Sequence, residues 1–139
     1  PWEVPVDIAV PCATQNEVDV ADAAKLLTNG TKYYIEASNM PSTPEAIRLM
    51  RMHPGLKMSL SRASGSGGVV LSALEMAQNS IRDNWTQEEM ERRLQATMVK
   101  IYDQSAQAAA QYGLGDDLVA GSAIASFQKI AQAKLAQGV

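Results

Sequence analysis

The chain has 139 residues, of which 46% are hydrophobic and 19% charged, and this ordinary globular composition predicts one packed domain without long disorder. A formal net charge of -3 argues against binding to nucleic acid or an anionic membrane surface, and no apolar run reaches the roughly 18 residues of a membrane span. The single cysteine, Cys12, and the single histidine, His53, exclude an intrachain disulfide and a Cys/His zinc site, so we expect no metal and a reducing, cytoplasmic compartment.

Three strand, loop and helix units are predicted in the first part of the chain. Short runs of apolar and aromatic residues predict strands at residues 7–10, 33–36 and 57–61. The first run is stopped by Pro11 and is typical of a strand buried on both faces. Capping residues, Gly and Pro delimit helices at residues 20–27, 44–50 and 69–84. Because parallel strands are joined by right-handed crossovers, these units predict a three-stranded parallel sheet covered by helices.

A glycine-rich segment, residues 63–68, is predicted to form a turn before the third helix. It fits neither the dinucleotide fingerprint nor the P-loop, so we do not interpret it as a phosphate cradle. Cys12 has no histidine near it in sequence, and buried packing is favoured over a role as nucleophile.

Two long helices are predicted to complete the chain. A capping box at residues 86–89 begins the first, whose apolar residues recur at steps of three and four up to Tyr112. Gly113 to Gly115 end it, and a last helix starts at about Asp117. This helix is predicted to carry on one face Ile124, Phe127, Ile130, Ala131 and Leu135.

The predicted α/β fold therefore resembles the second half of a Rossmann-like dinucleotide-binding domain. We divide the chain into a partial dinucleotide-binding α/β unit, residues 1–84, and a C-terminal helical segment, residues 85–139, that packs back on it. The edge strand of such a half sheet exposes unpaired N–H and C=O groups. We expect the chain to self-associate through this edge or to cover it with its own helices.

Short motifs occur along almost the whole chain, at residues 7–17, 38–41, 67–69, 74–79, 127–131 and 136–138. In order and spacing they closely resemble motifs of glutamate dehydrogenases, in the Glu/Leu/Phe/Val dehydrogenase family. The resemblance implies the C-terminal part of an enzyme that converts L-glutamate to 2-oxoglutarate and ammonia with NAD or NADP. It implies an oligomeric oxidoreductase of amino-acid metabolism.

The resemblance also implies roles for matching residues. The ribose and nicotinamide region of the cofactor would contact four residues after the first strand, Ala13, Thr14, Gln15 and Asn16. Asn39 would hydrogen-bond near the nicotinamide end. Val69 would pack on the aliphatic part of the substrate, and Ser72 would donate its hydroxyl to the side-chain carboxylate. These residues follow strands or begin helices, where α/β sheets bind ligands.

The chain departs from the family's motifs at two places. Gly65-Ser66 stands where the family usually has Asn-Ala, and Ser122-Ala123 stands where it tends to have Ala-Asn, so part of the usual polar network is absent. No part of the chain matches the family's substrate-binding lysines, catalytic aspartate or glycine-rich phosphate loop. We therefore assign no catalytic residue and expect the chain alone to be inactive, with the N-terminal part of the enzyme as its partner.

Two alternatives stay open: a non-catalytic self-assembling α/β module derived from the family, and a regulatory one that binds complete subunits. The preference for NAD or NADP is also open, because the residue that reads the ribose follows a strand of the missing half.

Overall fold

The computed structural model describes residues 1–138 as an α/β fold. Three strands form one parallel sheet in the order β1-β2-β3: β1 (Ile8–Ala9), β2 (Tyr33–Ile35) and β3 (Lys57–Ser59). The helices are α1 (Val20–Thr28), α2 (Pro44–Arg51), α3 (Ser61–Ser64), α4 (Ser66–Ile81), α5 (Gln87–Gln111) and α6 (Leu118–Gln137). The predicted half sheet with two long closing helices is confirmed. Within the described residues, no helix is both long and apolar enough to cross a membrane.

Local side-chain caps begin α1 and α2 at the predicted places. Asp19 accepts a hydrogen bond from the Asp22 amide at 2.9 Å, and Thr43 accepts one from the Ala46 amide at 3.3 Å. Gly30 follows α1 with a φ of +78°, a left-handed conformation that favours glycine. The short polar signals in the sequence therefore mark where both helices begin.

The core lies between one face of the sheet and helices α1 and α2. Ala9, Tyr34 and Met58 are partners across the three strands and form a buried row. The other core residues come mainly from the two helices and the loops before them: Val18, Ala23, Leu26, Ala46, Met50 and Val119. Because Val119 belongs to α6, the last helix shares the hydrophobic core of the sheet.

Ion pairs also hold the start of α6 against the sheet. Arg51 donates to Asp117 at 2.6 Å, and Lys57 of β3 pairs with Asp116. Asp117 caps α6 by accepting the Ala120 amide at 3.0 Å. Partial burial by itself would raise the pKa of Asp117, but the hydrogen bonds from Arg51 and the Ala120 amide outweigh burial and lower the pKa.

The predicted glycine turn over residues 63–68 is wrong, because only Gly65 lies between helices and the other five residues are helical. The third strand ends at Ser59, and Ser61 already begins α3. Gly65 between α3 and α4 has right-handed helical angles, with a φ of -77° and a ψ of -5°. At Gly67 a Cβ would lie 3.6 Å from a methyl group of Leu94 on α5. Gly67 therefore lies within van der Waals reach of α5, and a Cβ at Gly68 would meet no atom within 4 Å.

The predicted apolar face of α6 is not the face that packs in this chain. Phe127, Ile130 and Leu135 are 70%, 62% and 77% exposed, whereas the buried residues lie at the start of the helix. Burial is decided there by the close approach of α6 to α5. A side chain at Gly121 would overlap the carbonyl oxygen of Ser105 on α5.

Two further predictions of burial are wrong. The first strand is buried on one face only, since Ile8 is 55% exposed next to buried Ala9. Cys12 is exposed, with its thiol donating to the Val10 carbonyl at 3.1 Å. Ile8 belongs to β1, the edge strand of the sheet, and Cys12 follows the end of that strand. No other element of residues 1–138 covers these two side chains.

Candidate functional site

Two loops meet at the carboxyl end of the parallel sheet: the loop after β1, residues 10–17, and the loop after β2, residues 36–43. The Asn16 amide donates to the Met40 carbonyl at 3.0 Å, and the Pro11 carbonyl accepts two amides of the second loop at 3.0 and 3.2 Å. Asn16 and Met40 both have positive φ, at 56° and 53°, a conformation that is uncommon outside glycine. The contact between the loops therefore depends on specific backbone bonds and on two unusual conformations.

The five residues predicted to bind the cofactor are all exposed at this contact or beside it, namely Ala13, Thr14, Gln15, Asn16 and Asn39. The Glu17 carboxylate accepts hydrogen bonds from the backbone amides of Ala13, at 2.9 Å, and Thr14, at 3.4 Å. These bonds fold the first loop around the Glu17 side chain. The fold thus brings residues from separate units to one edge of the sheet. Within residues 1–138, the polar side chains of Thr14, Gln15, Asn16 and Asn39 are exposed and make no hydrogen bond to another residue.

A buried carboxylate joins the second loop to the next helices. Glu36 is 2% exposed, and its two oxygens accept the Ser42 hydroxyl at 2.6 Å and the Ser61 amide at 3.0 Å. Ser42 also shares a hydrogen bond of 2.7 Å with the buried Tyr34 hydroxyl, and burial raises the pKa of that phenol. The Ser64 hydroxyl donates to the Glu36 carbonyl. Glu36 therefore fixes the loop that carries Asn39 relative to α3.

The sequence interpretation missed this network. The only signal in the sequence is Glu36, which directly follows the strand residues 33–35. A carboxylate that is buried there requires hydrogen-bond partners. The partners come from residues 42 and 61, and no sequence spacing identifies them.

The two residues predicted to contact substrate lie on α4. Val69 is 72% exposed, and Ser72 is exposed one turn further along the same helix face. No side chain caps the start of α4, and none of its residues is buried. Helix α4 follows α3, whose first residue, Ser61, donates its amide to the Glu36 carboxylate beside the Asn39 loop.

None of the predicted site residues lines the larger cavities. Cavities of about 580 Å³ and 370 Å³ are formed by α3, α5 and their neighbours, and no residue of the two loops lines either of them. Among residues 1–138, no group of three His, Cys, Asp or Glu side chains is arranged to hold a metal ion. The five residues of the two loops are instead exposed at the carboxyl end of the sheet, and Val69 and Ser72 are exposed on α4.

Comparison with known proteins assigns this arrangement to a family. The model of the Glutamate/Leucine/Phenylalanine/Valine dehydrogenase family matches residues 1–138. The chain belongs to this family. It is 51% identical over 139 residues to the NAD-specific glutamate dehydrogenase of Clostridium symbiosum, covering 100% of this chain and 31% of that enzyme. It is 44% identical over 143 residues to the NADP-specific glutamate dehydrogenase of a Psychrobacter species, covering 100% of this chain and 32% of that enzyme.

Solved structures of the family share the fold. A glutamate dehydrogenase structure at 51% identity superposes with a TM-score of 0.97 and covers 100% of this chain and 31% of its own. The Plasmodium falciparum glutamate dehydrogenase, at 40% identity, superposes with a TM-score of 0.95 over 100% of this chain and 30% of its own. The present chain therefore corresponds to less than a third of each of these dehydrogenases. The relatives include both NAD-specific and NADP-specific enzymes, so family membership leaves that preference open.

Proposed function

We propose that this chain supplies one wall of the cofactor and substrate cleft of a glutamate dehydrogenase, as the C-terminal part of its NAD(P)-binding domain with the closing helices. The complete enzyme would oxidise L-glutamate to 2-oxoglutarate and ammonia, with NAD or NADP accepting the hydride. The observation that carries this proposal is the hydrogen bond between Asn16 and Met40, which joins two loops at the carboxyl end of a parallel sheet.

On the cofactor side, the exposed residues would bind the nicotinamide and ribose end. The amide side chains of Gln15, Asn16 and Asn39 offer both donors and acceptors, which suits a carboxamide and sugar hydroxyls. Ala13 and Thr14 would contribute contacts of the loop itself. No G-x-G-x-x-G sequence occurs in the chain, so the pyrophosphate would be held by the remainder of the enzyme.

On the substrate side, α4 would present Val69 and Ser72 to glutamate. The isopropyl group of Val69 is free to pack on the methylene groups of the substrate, and the Ser72 hydroxyl is free to donate to its side-chain carboxylate. The lysines and the aspartate that do the chemistry in this family would come from the other part of the enzyme.

The exposed apolar surface supports the need for that other part. Helix α4 has no buried residue, and its Val69, Met76 and Ile81 are more than 60% exposed. The free edge of β1 is likewise uncovered, as is the face of α6 that carries Phe127 and Ile130. Apolar surface of this extent marks an interface. We propose that the α/β unit, residues 1–84, and the helical segment, residues 85–139, both contact the N-terminal part of the enzyme.

The alternative is a non-catalytic module that self-associates through the edge of β1 or binds complete subunits as a regulator. It is favoured by the departures at Gly65-Ser66 and Ser122-Ala123, which remove polar groups that the family usually carries. It predicts a stable oligomer that has no affinity for cofactor.

The chain alone is expected to reduce neither NAD nor NADP in the presence of L-glutamate, because hydride transfer requires the family's lysines and aspartate. Absorbance of the reduced cofactor measures this directly, first for the chain alone and then after addition of the N-terminal portion of the Clostridium symbiosum relative. Turnover that appears only in the mixture supports the proposal. Turnover by the chain alone contradicts it.

Calorimetric titration with NAD and NADP separates the two functions. We expect weak saturable binding of at least one of them, reduced about fivefold or more in Asn39→Ala by loss of a hydrogen bond to the nicotinamide end. Asn84→Ala is the matched control, since Asn84 is exposed and distant in sequence from both loops. Absence of binding, together with a stable oligomer in light scattering, would favour the self-assembling module.

A further inference from the structure

A cavity of about 580 Å³ lies between α3, α5 and α6, outside the proposed cleft. Its lining includes three basic side chains, Arg62, Lys100 and Lys129, and no acidic side chain. The amide side chains in the lining are Gln104, Gln107, Gln111, Gln128 and Gln132. The volume falls within the range of small-molecule sites, which is roughly 300 to 1,000 Å³. A chain with a net charge of -3 thus contains a concave surface with a local positive charge.

The pattern of ion pairs distinguishes these three cations from most others in the chain. The paired cations are Lys25, Lys32, Arg48, Arg51, Lys57, Arg92 and Arg93. Within residues 1–138, Arg62, Lys100 and Lys129 have no carboxylate at ion-pair distance. Asp103 follows Lys100 by three residues on α5, a spacing that often forms a pair, yet it neither pairs with Lys100 nor lines the cavity.

Three like charges around one space repel each other, and a bound anion replaces that repulsion with attraction. We propose that this cavity binds a small polyanion, specifically a phosphorylated compound. The Arg62 guanidinium matches two phosphate oxygens at once, and the two lysines act as mobile point charges. The glutamine amides are donors for the remaining oxygens. A phosphate group offers more charge and more acceptor oxygens to this set than a simple carboxylate does.

The cavity is separate from the proposed substrate site, although it reaches the same helix. Ser66 lines the cavity and begins α4, the helix that carries Val69 and Ser72, but neither of those two residues is part of the lining. The proposal does not rest on the proposed dehydrogenase function, because it uses only the charges and the shape of this chain.

Isothermal titration of the 139-residue chain with pyrophosphate at constant ionic strength tests the proposal. The cavity variant is Lys100→Gln with Lys129→Gln. The matched control is Arg82→Gln with Lys134→Gln, which removes the same charge from two exposed cations that have no ion pair within the described residues and lie outside the lining. We expect saturable binding by the unchanged chain and the control, and binding weaker by about tenfold or more in the cavity variant.

Thermal unfolding provides a second readout. Pyrophosphate should raise the melting temperature of the unchanged chain and of the control more than that of the cavity variant, because a ligand stabilises only the state that binds it. Far-UV circular dichroism checks that both variants are folded. We expect both to fold, because all four substituted lysine and arginine residues are exposed.

Three outcomes overturn the proposal: no saturable binding of pyrophosphate, an equal loss of binding in both variants, or binding of succinate as tight as that of pyrophosphate. An equal loss would mean that net charge and not the cavity attracts the ion. Tight succinate binding would mean that the cavity recognises carboxylates. None of these readouts requires cofactor or glutamate, so they are independent of the outcome for the proposed function.

Discussion

Replacement of Gly121 with alanine is expected to lower the free energy of unfolding by about 2 to 3 kcal/mol, as is typical of overpacking at a rigid contact. Gly121 lies in the first turns of α6, where a Cβ would overlap the Ser105 carbonyl oxygen and come within 3.0 Å of the Ala109 methyl group. The overlapping atom belongs to the backbone of α5, so no side-chain rotation relieves the clash. The two helices must separate, and the burial of Ser122 and Val119 beside the contact is reduced.

Gly68→Ala is the matched control for this substitution. Gly68 also lies within a helix, α4, but a Cβ there would meet no atom within 4 Å. Alanine favours the helix over glycine, so this change should raise the free energy of unfolding by about 0.5 to 1 kcal/mol. Urea unfolding followed by circular dichroism measures both. If Gly121→Ala is as stable as the unchanged chain, the close packing of α5 and α6 described here is incorrect.

Removal of the buried Glu36 carboxylate is expected to have a comparable effect. Glu36→Ala leaves the buried Ser42 hydroxyl and the partly buried Ser61 amide without their acceptor, which should lower the free energy of unfolding by about 3 kcal/mol. Amide hydrogen exchange should also become faster in the loop of residues 36–43, since the carboxylate holds this loop against α3. The loop carries Asn39, so the same change should weaken any binding of cofactor.

A conservative variant separates the hydrogen bonds from the mere presence of a side chain. In Glu36→Gln the amide oxygen still accepts the Ser61 amide, and the Ser42 hydroxyl is able to accept from the new NH₂ group while it donates to Tyr34. We therefore expect a loss of only about 1 kcal/mol. Glu75→Ala, at an exposed position of α4, should change stability by less than about 0.5 kcal/mol. Equal losses in Glu36→Ala and Glu75→Ala would show that the network contributes nothing.

The elements predicted best are those whose signals are local. Asp19 and Thr43 cap α1 and α2 through bonds to amides three residues away, and a preference of that range is visible in the sequence. At the start of α5 the capping box forms only in part. Thr86 accepts the Glu89 amide at 3.2 Å, but the Glu89 carboxylate binds Arg92 and Arg93, and their hydrogen bonds lower its pKa to about 2. The capping box is incomplete because the two arginines on the next turn bind the Glu89 carboxylate, which a complete box would use to accept the Thr86 amide.

The candidate site was predicted from motifs, and the fold explains only part of it. The two loops with Asn16 and Asn39 meet because parallel strands direct the segments after them to one edge of the sheet. The predicted roles of all seven site residues remain predictions. Glu36 escaped prediction because its partners lie six and 25 residues away and belong to different elements.

The sequence by itself determined the three strands, the five longer helices, the parallel half sheet and the membership of the dehydrogenase family, because periodicity, caps and ordered motifs are properties of neighbouring residues. Only the tertiary structure decided which faces are buried. The segment of residues 63–68 is mostly helical. Helix α6 packs Gly121 against α5 and leaves Phe127 exposed, because burial depends on which surfaces meet and how closely their backbones approach. The same dependence brought Arg62, Lys100 and Lys129 from three helices to one cavity.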